Sequence, residues 1–224
     1  LIDAGRKIVS YDVRGYLHSR ITLFLSNLCI TPRSIFITRH GESEFNVAGK
    51  IGGDSNLSPL GSKYAERLAA FFSKRYPENE DLMVWTSTLK RTMQTAAGIE
   101  RDIVTWRNLD EIDAGICDGM TYEEVAEKMP EEYEARKKDK FRYRYPRGES
   151  YQDIVYRLEP VILELMRTDK PVIISHQATL RVLYSYLTDL DPPRCPSLLM
   201  PLHTVIELVP KAYGCEEIRH VLMK

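Results

Sequence analysis

Four short apolar runs recur along this chain between segments of helical character: SIFIT (Ser34–Thr38), LMVWT (Leu82–Thr86), IVTW (Ile103–Trp106) and VIIS (Val172–Ser175). Their length and composition suit strands buried on both faces. Between them the spacing of apolar residues becomes helical. Pro59–Tyr76 is predicted as a helix, with Ser58 as N-cap and Pro59 at its first position. A second helix is predicted from a cap at Ser87 through Gly98. Thr121–Met129 opens with Thr121 and Glu124 at capping-box spacing. After a charged stretch, a long helix is predicted over Ser150–Thr168, and another follows directly on Val172–Ser175. Two late runs, Thr204–Val209 and Glu217–Leu222, read as closing strands joined by a turn at AYGC. Strands alternating with helices predict an α/β fold, with a mostly parallel sheet flanked by helices on both faces.

The first thirty residues read differently. Val13, Tyr16, Leu17, Ile21, Phe24, Leu25 and Leu28 recur at three- and four-residue spacing, an amphipathic helical stripe, although Ile21–Leu25 also alternates as a strand would. TPRS (Thr31–Ser34) then punctuates the chain, and Pro32 opposes continuation of a helix. The expected division is therefore 1–30 and 31–224. A length of 224 residues accommodates one sizeable α/β domain with such an appendage. The net charge of −1 gives no global attraction to nucleic acid or acidic membranes, so anion binding must come from local clusters. No apolar run approaches the ~20 residues that span a bilayer. Cys29, Cys117, Cys195 and Cys215 lack metal-ligand spacing, which argues against zinc and for reduced thiols in the cytoplasm.

Ligands of open α/β sheets bind outside the carboxyl ends of the strands. Three polar groups fall there: Arg39–His40 after the first strand, Ser87–Arg91 after the second, and His176 after the fourth. Two arginines and two histidines converging from distant parts of the chain point to a phosphoryl group. The planar guanidinium matches two phosphate oxygens and keeps its charge. His40 is then placed to attack phosphorus in line and form a phosphohistidine, while arginines stabilise the equatorial oxygens. A leaving alkoxide needs an acid. NLDEIDAG (Asn108–Gly115) supplies carboxylates at a loop, with Glu111 the first choice and Asp110 or Asp113 as alternatives.

RHGESEFN (Arg39–Asn46), KRTMQTA, DEIDAG and SHQATLR together resemble the histidine phosphatase (phosphoglycerate-mutase-like) superfamily. More narrowly, IGGDSNLSPLG, CDGMTYEEV, DKFRYRYPRGESYQDIVYRLEPVI and PLHTVIELVPKAYGC resemble the phosphatase half of the bifunctional 6-phosphofructo-2-kinase/fructose-2,6-bisphosphatase family. The resemblance runs from about Thr31 to the end of the chain. The first thirty residues look like the C-terminal end of a kinase domain, so the intact protein is expected to carry an N-terminal kinase.

The resemblance implies hydrolysis of the C2 phosphate of fructose 2,6-bisphosphate. His40 would be the phosphorylated nucleophile, and Glu111 the proton donor and later the base that activates water. Arg39, Arg91, Asn46 and His176 would hold the C2 phosphoryl group. The 6-phosphate end would be held by Tyr122, Arg136, Lys140, Tyr151, Gln177 and Arg181, with a backbone contact from Gly52. No metal or other cofactor is implied, since arginines and histidines supply the positive charge.

RKKDKFRYRYPR (Arg136–Arg147) is the one strongly basic patch in a nearly neutral chain, and a substrate phosphorylated at both ends needs a second anion site. As alternatives the patch reads as a solvated helix face, or, from the alternation of Phe141, Tyr143 and Tyr145 with arginines, as a stacking surface for single-stranded nucleic acid. The neutral total charge and the absence of nucleic-acid motifs argue against the last.

The sequence contains no GxxxxGK[ST] phosphate loop, so kinase activity is not expected of it, and Ser175 stands before His176 where the resemblance suggests Cys. Two other functions stay open. One is another phosphatase or mutase of the same superfamily, which would accept substrates lacking the second phosphate. The other is a non-catalytic sugar-phosphate-binding module. His203 is expected to be structural, Trp85 and Trp106 to pack beside the sheet, and His18 and His220 to have no function.

Overall fold

A computed structural model of the chain describes residues 9–27, 33–77, 82–211 and 214–223. Among these residues a six-stranded sheet runs in the order β3-β2-β4-β1-β5-β6. β1 (Ile35–Arg39), β2 (Met83–Thr86), β3 (Ile103–Thr105) and β4 (Pro171–Ser175) are mutually parallel. β5 (Thr204–Lys211) and β6 (Gly214–Val221) complete one edge in antiparallel register. The mostly parallel sheet expected from strand–helix alternation is thus present. The expected AYGC turn includes residues 212 and 213, which lie outside the described residues.

Alternate strand residues face opposite layers. Ile35, Ile37, Trp85, Ile173, Ile206 and Leu208 face the layer of α7 (Tyr151–Arg157), α8 (Glu159–Leu165) and α9 (Gln177–Leu187). Phe36, Val84, Val172, Ile174 and Val205 face the layer of α3 (Pro59–Arg75) and α4 (Lys90–Ala96). Trp85 and Trp106 pack against each other at 5.6 Å beside the sheet. A smaller cluster built on Ala114, Cys117, Val125 and Tyr145 supports α5 (Tyr122–Lys128) and α6 (Pro130–Lys138). These two helices form one wall of the site.

Local signals placed several elements correctly. The Ser58 hydroxyl accepts the Gly61 amide at the start of α3, and Thr121 with Glu124 closes the expected capping box on α5. Three differences stand out. α4 begins after Leu89, not at a Ser87 cap, because the Ser87 hydroxyl is engaged by Thr92 and His176. The helix expected over Ser150–Thr168 divides at Leu158 into α7 and α8. Pro160 has no N–H for the Tyr156 carbonyl and so breaks the ladder. The charged stretch after Met129 is itself helical as α6, although its polar composition carries no amphipathic signal.

α1 (Tyr16–Asn27) realises most of the N-terminal stripe and lies against α8, with an Arg20–Glu159 ion pair. Tyr16, Leu17, Ile21, Phe24 and Leu25 remain exposed on it. Leu28, Thr31 and Pro32 of the expected stripe and boundary lie outside the described residues.

Candidate active site

β1 and β4 are adjacent and in register, Arg39 opposite Ser175. The residues that follow them, His40 and His176, therefore leave the sheet side by side, with ring centroids 5.1 Å apart. The backbone amide of His40 is held by the Ser175 carbonyl at 3.0 Å. β2, on the far side of β4, ends beside them and leads into α4, which carries Arg91. Convergence of three strand exits is thus a direct product of strand order.

Gly41 answers to packing. Its amide donates to Thr95 Oγ1 at 2.9 Å, and a Cβ there would sit 2.5 Å from the Gly61 carbonyl oxygen. The same close approach excludes a side chain at Gly61, whose Cβ would meet the Glu42 carbonyl at 2.0 Å. The two glycines let α3 come up against the loop that follows His40.

The imidazole of His40 is almost completely buried. Its Nδ1 lies 2.7 Å from the Gly41 carbonyl, which only accepts, so Nδ1 carries the proton and Nε2 presents a lone pair. The Nε–H of Arg91 is shared between that lone pair, at 3.1 Å, and His176 Nδ1, at 3.2 Å. Burial first, and then the Arg91 charge, hold both imidazoles well below the ordinary histidine pKa. A neutral ring with its Nε2 lone pair turned into a cationic pocket is what nucleophilic attack on phosphorus requires.

Arg39 donates from Nη1 to the Met200 carbonyl at 3.0 Å, while its Nε is buried without a partner among the described residues. Burial lowers its pKa to about 10, which leaves it charged at neutral pH. A buried unpartnered guanidinium N–H beside the nucleophile suits an anion. Asn46 Oδ1 accepts from the backbone and hydroxyl of Ser43 at 3.0 and 3.1 Å, and the residue lines the same cavity.

That cavity, of about 350 Å³, is lined by Arg39, His40, Asn46, Gly52, Arg91, Glu111, Tyr122, Arg136, Lys140, Tyr151, Gln177 and Arg181. His176 stands behind Arg91. Every site residue expected from the sequence is therefore brought together. Lys50 and Tyr145 also line the cavity and were not anticipated. Lys50 lies on a loop whose local sequence carries no site signal, and Tyr145 was read only as part of an aromatic alternation.

The distal end is a cation cluster held by aromatic and backbone oxygens. Arg136 lies over the Tyr122 ring at 4.8 Å and donates to its hydroxyl at 3.0 Å. Arg181 donates to Tyr151 Oη at 3.0 Å and to the Leu198 carbonyl at 2.7 Å. Lys140 reaches the Pro196 carbonyl at 3.4 Å; burial, then the charges of Arg136 and Arg181, bring its pKa down to about 8. No carboxylate pairs with these three cations among the hydrogen bonds and ion pairs of the described residues, so their charge is left for a ligand.

Glu111 enters from the opposite wall. Its Oε1 accepts the amides of Ile112 at 2.9 Å and Ala178 at 3.1 Å, the latter in the first turn of α9. Asp110 is instead occupied by the amide and hydroxyl of Thr88, and Asp113 by the Gly115 amide. Neither lines the histidine cavity, whereas Glu111 does. The loop that carries it is pinned by Arg157, which donates to the carbonyls of Asn108, Asp110 (2.7 Å) and Glu111 (3.3 Å) and pairs with Glu149 at 3.0 Å. Ser175 and Thr179 hold the Leu109 and Asp110 carbonyls, each at 2.6 Å.

A larger neighbouring cleft of about 560 Å³ shares Gly52, Glu111 and Ile112, but Asp54, Asp110, Asp113, Asp118 and Glu149 line it. Its excess of negative charge repels the phosphates that the smaller cavity attracts. Among the described residues no group of three or more His, Cys, Asp or Glu is placed to hold a metal ion. No helix among them is long and apolar enough to cross a membrane.

Strand order, the paired histidines and the arginines around them define a phosphoryl-transfer site of the histidine phosphatase kind. Residues 35–221 match the Histidine phosphatase superfamily (branch 1), and the chain belongs to that family. It is 55% identical over 221 residues to a 6-phosphofructo-2-kinase/fructose-2,6-bisphosphatase of Arabidopsis thaliana, covering 98% of this chain and 30% of that protein. It is 49% identical over 216 residues to 6-phosphofructo-2-kinase/fructose-2,6-bisphosphatase 4 of Homo sapiens, covering 96% of this chain and 46% of that protein. The chain thus spans less than half the length of these relatives.

Among solved structures, the fold is similar to that of the alpha-ribazole phosphatase of Shigella flexneri (TM-score 0.72, 20% identity, 81% of this chain and 93% of that one). It is also similar to a mycobacterial glucosyl-3-phosphoglycerate phosphatase (TM-score 0.70, 24% identity, 84% of this chain and 98% of that one).

Proposed function

We propose that this chain hydrolyses the C2 phosphate of fructose 2,6-bisphosphate, releasing fructose 6-phosphate and inorganic phosphate through a phosphohistidine on His40. One observation carries the reading: a single cavity has the nucleophile with Arg39 and Arg91 at one end, and Arg136, Lys140 and Arg181 at the other. A ligand with one phosphate needs one such cluster. A sugar phosphorylated at both ends uses both. The printed names of the relatives at 49–55% identity support the same substrate.

The geometry supports the following steps. His40 Nε2 attacks phosphorus in line, and the bond from phosphorus to the C2 oxygen breaks. Glu111 gives its proton to the departing sugar oxygen; Arg39, Arg91 and Asn46 hold the transferring oxygens, and His176, buried behind Arg91, orients that guanidinium. Glu111, now ionised, takes a proton from a water that attacks the phosphohistidine, and the phosphorus–nitrogen bond breaks. Throughout, Tyr122, Arg136, Lys140, Tyr151, Gln177, Arg181 and the Gly52 backbone hold the 6-phosphate end of the sugar.

In this reading the intact protein carries an N-terminal kinase domain, of which residues 1–30 are the C-terminal end, and it acts in the cytoplasm. The greater length of the relatives and the apolar side chains exposed on α1 support the first point.

The test is a rapid-quench experiment with fructose 2,6-bisphosphate radiolabelled at the C2 phosphate, run beside His40→Ala. An acid-labile, base-stable protein adduct is expected, formed on the native chain and absent from the variant. Phosphate release that does not depend on His40 would sink the mechanism. Equal turnover of sugar monophosphates would move the assignment to a phosphatase of broader range, and binding without turnover to a sugar-phosphate-binding module.

A further inference from the structure

Ser87 and Thr92 lie just behind the reacting groups, and the reaction outlined above makes no use of them. We propose that they are positioning residues that lock the proton of His176 on Nε2, through hydrogen bonds donated in one direction from His176 to Ser87, from Ser87 to Thr92, and from Thr92 to a backbone carbonyl.

The direction follows from what each partner can do. Thr92 Oγ1 lies 2.8 Å from the Leu89 carbonyl and 3.1 Å from the Ser87 carbonyl. Carbonyls only accept, so the Thr92 proton is committed there, and its oxygen accepts from Ser87 Oγ at 2.8 Å. That uses the one proton of Ser87. The Ser87 oxygen is then an acceptor for the Leu89 amide at 3.2 Å and for His176 Nε2 at 2.7 Å. On the other edge of the ring, Nδ1 faces the Nε–H of Arg91 at 3.2 Å, and a guanidinium only donates. Both edges therefore demand the same arrangement, with the proton on Nε2 and the lone pair on Nδ1. Ser87, Thr92 and His176 are completely buried, so water cannot substitute for a missing member of the chain.

This bears on the nucleophile, and here the inference rests on the phosphohistidine reading. Arg91 has one Nε–H, and His176 Nδ1 shares it with His40 Nε2. A His176 with its proton on Nδ1 would oppose that N–H with another donor. The Arg91 hydrogen would then fall wholly on His40 and occupy the lone pair that attacks phosphorus. Ser87 and Thr92 thus keep the nucleophile partly uncapped, by way of His176 and Arg91.

The experiment is NMR of the substrate-free protein with isotope-labelled histidine, in which long-range nitrogen–proton correlations separate the two neutral tautomers. Thr92→Val removes the acceptor of the Ser87 proton at nearly constant shape, and Thr92→Ser retains it. The native protein and Thr92→Ser are expected to show the His176 proton on Nε2. Thr92→Val is expected to move it toward Nδ1 and to lower kcat about tenfold, with KM for fructose 2,6-bisphosphate unchanged because the distal cations are untouched.

A native spectrum with the proton on Nδ1 overturns the proposal. So does a folded Thr92→Val with native tautomer, or with a changed tautomer and native kcat. Should Thr92→Val not fold, Ser87→Ala is read in the same way. Because the tautomer is recorded without substrate, this inference can fail while the assignment of fructose 2,6-bisphosphate stands, and the reverse.

Discussion

Arg91 Nε lies 3.1 Å from His40 Nε2, so the atom that would attack phosphorus already holds a hydrogen bond from the cation that would later stabilise the phosphoryl oxygens. Burial and this neighbour keep His40 neutral into the acid range. The acid limb of kcat/KM is expected below the ~6.5 of a free imidazole. Arg39 lowers the His40 pKa further, and replacing Arg91 by Gln removes the larger of these two charge effects, so the limb of the residual activity should move upward. A pH profile of both proteins decides this, and an unmoved limb would exclude Arg91 as a cause.

The same burial makes stability depend on pH. Unfolded histidines take up protons near ~6.5, while His40 and His176 in the folded chain, held well below that value, do not. Below ~6.5 the unfolded state therefore binds more protons, and stability falls as pH falls. The slope from these two groups reaches about 2.7 kcal/mol per pH unit. Urea unfolding of the native protein and of a His40→Gln/His176→Gln variant, between about pH 7 and about pH 5, should give a flatter dependence for the variant.

At the other end of the cavity the sign reverses. Lys140, with its pKa at about 8, loses its charge as pH rises through that value in the free protein. KM for a bisphosphate should rise above about pH 8 with little change in kcat. Lys140→Arg, which keeps its charge, should abolish that rise. Steady-state kinetics across the alkaline range distinguish the two.

Arg157 does not itself line the histidine cavity but holds the loop bearing Glu111 through three carbonyls. Arg157→Met should let the carboxyl wander and lower kcat by about a hundredfold, the usual cost of misplacing a catalytic group by ~1 Å. Phosphohistidine formation with a substrate bearing a good leaving group, which needs no acid, should be affected far less.

Away from the site, Glu207 is buried in β5 and accepts from Ser34 at 2.6 Å, Arg75 at 2.7 Å and His220 at 2.8 Å. His220 thus has a structural role that the sequence did not suggest. Glu207→Ala should cost about 2 kcal/mol in chemical denaturation, because it leaves the part-buried Ser34 and His220 without their partner. The phosphatase reaction should persist in the folded fraction.

Much of the molecule was legible in the chain because the relevant forces are local. Short apolar runs, a proline after Ser58 and the spacing of Thr121 and Glu124 depend on neighbours a few residues away, and they predicted strands, a cap and a capping box that the fold contains. The strand exits at His40 and His176 were legible for the same reason, since a polar residue ending a buried strand has few places to go. What the sequence could not decide was direction and partnership. Ser87 was expected to cap a helix, but a hydroxyl binds the best-placed partner, and only the adjacency of β2 and β4 set that partner as His176. Nothing in the sequence singled out Arg157 and Glu149, whose grip on the 107–113 loop exists only in the folded chain. Residue types and local elements were written in the sequence, while the sharing of one Arg91 hydrogen by two histidines waited on tertiary packing, because hydrogen bonds choose by distance in space.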